Sequence, residues 1–191
     1  MGTFFDSIHI RCEQIEALVD RMSDWAKGRF SYILTPPSDG WISLFLDENG
    51  IMIDDIDDEI CLKLSQYCNS LVLKIKEHDS DVFYYTCFFN GNVIDSFDSC
   101  PDYFENVTND EKNKLHGKPE RWVDLLGFSV EVNELREVLD LMQSDLLCEN
   151  DGPERFVRLL HLNDALTSYD ELITEEPEPE WIIYDCSKNN Q

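Results

Sequence analysis

The chain opens with a period-two pattern. Over residues 3–12, Phe4, Ile8 and Ile10 fall on one side and Phe5, Ser7 and His9 on the other, which predicts a strand. The period then changes. Ile15, Leu18, Val19, Met22, Trp25 and Ala26 recur at three- and four-residue spacing and predict a helix over 13–27, stopped at Gly28. Residues 29–35 and 41–47 read as strands on either side of the turn cluster Pro36-Pro37-Ser38-Asp39-Gly40. A second helix follows the acids of 54–59, with Ile56, Ile60, Leu64, Tyr67 and Cys68 as its apolar face. Residues 71–76 alternate as a strand. Residues 82–89 and 92–97 flank Asn90-Gly91, a pair suited to a two-residue hairpin turn because both positions require positive φ.

This order, β-α-β-β-α-β plus a hairpin, predicts an α+β fold of the ferredoxin-like type: an antiparallel sheet with two helices on one face. The strand at 82–89 is aromatic on both sides, through Phe83, Tyr84, Tyr85, Phe88 and Phe89. A second layer must therefore cover the sheet, and residues 105–174 are the candidate, a C-terminal helical extension. Two matching stretches, Pro119–Leu126 and Pro153–Leu160, read as one recurring way to start a helix, with Pro at the first position and an acid after it. Val132, Leu135, Val138, Leu139 and Met142 mark another amphipathic helix. The expected organisation is a domain over 1–104, the helical extension over 105–174, and an acidic Pro/Glu linker with a short terminal strand over 175–191.

Charge changes the picture more than composition does. Among 191 residues there are 15 Lys and Arg against 40 Asp and Glu, a formal net charge of −25. The excess is even along the chain: residues 1–104 hold 7 basic and 19 acidic side chains, and the rest hold 8 and 21. Such a surface disfavours nucleic acid, whose phosphates need a basic patch. It disfavours anionic membranes for the same reason, and no apolar run approaches the ~18 residues of a spanning helix. Residues 1–6 carry no leader pattern, and the seven cysteines include no C-x-x-C pair. The expectation is a cytoplasmic protein with reduced thiols.

Candidate chemistry is sparse. Nucleotide-cradling glycine loops and a nucleophile elbow are both absent from the sequence, and no cofactor is expected. The most suggestive polar run is His78, Asp79, Ser80 and Asp81 between two strands. It reads either as a polar turn or, joined by His9, as a metal-dependent site. Asp54, Asp55, Asp57, Asp58 and Glu59 do not fit a calcium-loop frame and read as an acidic surface at a helix start.

Four strings in order, Ser7-Ile8-His9-Ile10-Arg11, Gly40-Trp41-Ile42-Ser43, His78-Asp79-Ser80-Asp81-Val82 and Ser99-Cys100-Pro101-Asp102-Tyr103-Phe104, resemble an uncharacterised family of soluble bacterial proteins. The resemblance covers about residues 3–105 and implies no activity. It draws attention to His78, Asp79 and Asp81. The expected function is a non-catalytic interaction module whose acidic surface binds a basic protein partner, of the immunity, antidote or inhibitor kind. The alternatives are a metal-dependent enzyme or binder at His78, Asp79 and Asp81, and a structural module without a specific ligand.

Overall fold

A computed structural model describes residues 4–27, 29–47, 54–144, 150–174 and 178–187, and the side chains of 54–56 are outside the description. The helix stop at Gly28, the acids Asp54 and Asp55, and the linker at 175–177 therefore lie outside the described residues. The chain forms strands β1 (Phe5–Arg11), β2 (Tyr32–Leu34), β3 (Trp41–Leu46), β4 (Val72–His78), β5 (Val82–Phe89), β6 (Asn92–Asp98) and β7 (Ile182–Tyr184). Helices α1 (Ile15–Ala26) and α2 (Asp54–Cys68) lie between the first four strands. Helices α3 (Asn109–Lys114), α4 (Val132–Ser144), α5 (Gly152–Leu159) and α6 (Tyr169–Thr174) follow β6.

The result is an α+β architecture around one open sheet of seven strands, in the order β6-β5-β4-β1-β3-β2-β7, every neighbouring pair antiparallel. β7 reaches the edge by pairing with β2, Leu34 opposite Ile182. Asn90 and Gly91 have φ of 49° and 72°, so both positions of the β5–β6 turn are left-handed, the conformation that Asn-Gly supplies at least cost.

Each sheet face has its own core. On one face Ile8, Ile10, Tyr32, Leu34, Ile42 and Leu44 meet Leu18 and Met22 of α1 and Ile60 and Leu64 of α2. On the other, Phe5, Leu73, Ile75, Phe83, Tyr85 and Phe97 are covered by Trp122, Leu135, Leu139 and Phe156 from the C-terminal helices. A smaller cluster joins Ile33 and Phe45 to Leu172 of α6. Trp41 is buried in the second core and donates its indole N–H to the Leu160 carbonyl at 2.9 Å.

One carboxylate pins the second layer to the sheet. Asp95 Oδ2 accepts from the Tyr85 hydroxyl at 2.7 Å, the Trp122 indole at 2.9 Å and the Lys118 amide at 2.7 Å. That anchor explains a departure from the expected helix at 119–126. Residues Pro119–Arg121 and Val123–Leu125 form two separate 3₁₀ turns, because Trp122 leaves helical geometry (φ −135°, ψ −12°) to bury its ring and reach Asp95. The matching stretch at 153 does form a helix, α5.

Candidate functional site

The β4–β5 hairpin carries the polar run singled out in the sequence. Asp79 and Ser80 take φ of 55° and 58°, and the Asp81 amide donates to the His78 carbonyl at 3.0 Å. The run is thus a tight left-handed turn, in which adjacent side chains diverge. Asp79 is exposed, and His78 and Asp81 are half-buried.

His78 stands in an aromatic cluster drawn from three parts of the chain. Its ring meets Phe4 and Phe104 edge-on at centroid distances of 4.9 Å each, and Tyr103 at 6.1 Å. Tyr103 and Phe104 also pack edge to face at 4.8 Å. The loop that brings them is held against β5: Ser99 exchanges hydrogen bonds with the Phe83 backbone, and Asp98 Oδ1 accepts from the Cys100 amide at 2.8 Å. The Tyr103 hydroxyl donates to Asp81 Oδ2 at 2.9 Å, which fixes the aromatic loop to the hairpin. Phe4 is 53% exposed and Phe104 66%, an unusual amount of apolar ring for one small patch. A groove of about 660 Å³ runs beside it, lined by Phe4, His78, Phe104, Tyr84, Lys74 and Lys76. Asp79 is exposed in the turn, whereas Asp102 in the aromatic loop is paired with Lys112.

His9 does not join this cluster. It sits opposite Leu73 on β4, five residues from His78, and on the other face of the sheet. It is fully buried. Its Nδ1 and Nε2 lie 2.9 Å from Ser43 Oγ and Ser7 Oγ. Ser7 donates its proton to the Ala165 carbonyl at 2.8 Å, so it accepts from His9 Nε2–H, and Ser43 donates to Nδ1. Burial holds this imidazole at a pKa of about 3. A serine–histidine contact of this kind lacks a usable base, because the ring resists protonation. His9 is a satisfied core histidine rather than a member of the polar site.

The acids of α2 also divide. Asp57 is buried at 1% exposure, not part of an acidic surface. The reason is periodicity: Asp57, Ile60, Cys61 and Leu64 share the stripe that faces the sheet. Asp57 meets Asp6 of β1, whose carboxylate lies 2.8 Å from Lys76 Nζ. Burial and the neighbouring Asp6 charge push Asp57 up to about 8, with Lys76 and Lys74 partly opposing. Asp57 therefore holds its proton at neutral pH. Asp58 pairs with Lys74, and Glu59 with Lys63 and Arg29.

Among the described residues, no group of three or more His, Cys, Asp or Glu side chains is placed to hold a metal ion, and no helix is long and apolar enough to cross a membrane. No family model, curated protein or solved structure matches the chain. Sequence reasoning passed over two features of the site region. Phe4, Tyr103 and Phe104 gave no local signal, whereas the Asp57 stripe was readable at i, i+3, i+4 and i+7.

Proposed function

We propose that the protein is a non-catalytic interaction module that binds a basic protein partner, with the aromatic cluster around His78 as its anchor. The observation that carries this reading is the exposure of Phe4, Tyr103 and Phe104 beside the exposed carboxylate of Asp79. Aromatic rings bordered by acids suit an arginine side chain, which stacks on a ring face and pairs with a carboxylate. Interface energy concentrates on such anchors, while a surrounding field of one sign accelerates encounter. The net charge of −25 supplies that field. An immunity or inhibitor protein acting on a cationic target would use both.

We also read β1–α1–β2–β3–α2–β4 as a ferredoxin-like unit. The order β4-β1-β3-β2 with antiparallel neighbours supports this, and the remaining strands then extend the sheet at both edges.

The test is affinity purification from the native host with the wild type and Phe104→Ala side by side, followed by binding measurements from low to high salt. The expected result is a basic partner held about tenfold or more weakly by the variant, with affinity that falls as salt rises. Affinity independent of salt refutes the electrostatic part. Absence of any stable partner leaves the structural-module reading in its place. Phe104 is 66% exposed, so the variant should melt at the wild-type temperature.

A further inference from the structure

The turn that ends β1 and the last turn of α2 bring two cysteines, 56 residues apart in sequence, to one place. The Arg11 amide donates to the Leu71 carbonyl at 2.9 Å, and the Ser70 hydroxyl donates to the Arg11 carbonyl. These bonds set Cys12 beside Cys68. Cys12 is a direct side-chain neighbour of Cys68. Both line a cleft of about 550 Å³, with Arg11, Gln14, Leu18 and Tyr67 among its walls. Both are partly accessible, whereas Cys61 and Cys87 are sealed in the cores.

The two thiols differ in surroundings. Cys12 lies just ahead of α1, and the Gln14 amide donates to its sulfur at 3.3 Å. That contact gives the Cys12 sulfur a backbone donor at the start of a twelve-residue helix. Cys68 is the last residue of α2, at the negative helix end, and burial beside Cys12 pushes its thiol up to about 12. Cys68, held protonated, is the second thiol to react.

We infer that Cys12 and Cys68 form an oxidisable pair that closes to an intramolecular disulfide by exchange with a small-molecule disulfide. The Cys12 thiolate attacks one sulfur of the oxidant, the oxidant's S–S bond breaks, and one small thiolate leaves. That thiolate takes the Cys68 proton. Cys68 then attacks Cys12 Sγ and displaces the second small thiol. Two protein thiols are oxidised and one disulfide is reduced to two thiols. The product ties β1 to the far end of α2 across a loop of 57 residues.

The test treats the full-length native protein with glutathione disulfide and maps it with trypsin without reduction. Residues 12–21 are expected to be found linked to residues 64–74. The oxidised protein is expected to melt about 10 °C higher, because a cross-link over so long a loop restricts the unfolded chain. Cys68→Ser is expected to retain one glutathione on Cys12, and Cys12→Ser to form no linkage to Cys68. A linkage through another cysteine overturns the inference. So does a native protein whose Cys12 and Cys68 stay reduced where the urea-unfolded chain is oxidised, or a Cys68→Ser variant that carries its glutathione elsewhere.

Discussion

Replacing Asp57 by Asn keeps the side chain's shape and removes its ionisation. In the wild type Asp57 ionises near 3.8 when unfolded and near 8 when folded, because burial and Asp6 oppose its charge. A carboxyl raised in this way stabilises the folded state fully only at pH below its unfolded value, and that contribution is lost as pH rises towards 8. The loss amounts to about 1.4 kcal/mol per pH unit over this window, so it is of order 4 kcal/mol by pH 7. The Asn amide carries no charge to bury, and Lys76 keeps its partner at 2.8 Å. Asp57→Asn is therefore expected to stabilise the protein, with a gain that grows with pH. The assay is thermal unfolding by circular dichroism from pH 5 to pH 8.5 at constant ionic strength, read as the difference between variant and wild type. That difference cancels the pH response common to both, which matters in a chain of net charge −25. The variant should melt a few degrees above the wild type at pH 5 and about 10 °C above it at pH 7.5. A variant less stable than the wild type at pH 7.5, or a gain independent of pH, refutes the reading of Asp57 as protonated when folded.

Three further outcomes are expected. Asp95→Ala removes the acceptor for Tyr85, Trp122 and Lys118, and should cost about 3–5 kcal/mol in urea unfolding, whereas Asp95→Asn should cost less. Gly117 has φ of 73°, and a Cβ there would lie 2.7 Å from the Tyr85 hydroxyl and 2.8 Å from Leu139 Cδ1, so Gly117→Ala should lower stability by about 1–3 kcal/mol. The His9 ring protons should show no titration by NMR between pH 8 and pH 5, and a midpoint above 5 would contradict its burial. His9 is a group depressed on folding. Its contribution is complete above pH 6.5 and declines as pH falls towards 3, opposite in sign to that of Asp57.

Elements with a strong local pattern were legible before the fold was known. The α1 stripe, the Asn90-Gly91 turn and the terminal strand at 182–184 follow from spacing and from backbone preference, which neighbouring residues set. The helix expected at 119–126 failed because Trp122 answers to Asp95, 27 residues away, and a long-range bond outweighed a favourable helix start. The candidate site was half legible. His78, Asp79 and Asp81 mark the turn, but Phe4 and Phe104 reach His78 only through the sheet and the loop after β6. Asp57 was expected on the surface for its charge and His9 in the polar site for its chemistry, while position on a helix or strand face buried both.

The sequence by itself determined the strands and helices of residues 5–98, that the sheet needs cover on both faces, and that the molecule carries a strong negative field. These are local or summed properties. Only the tertiary structure decided which polar groups are buried together, which rings stay exposed around His78, and that Cys12 and Cys68 lie side by side. Those are properties of pairs distant in sequence. Their energies depend on burial and on distances of a few ångströms, which exist only once the sheet has set its register.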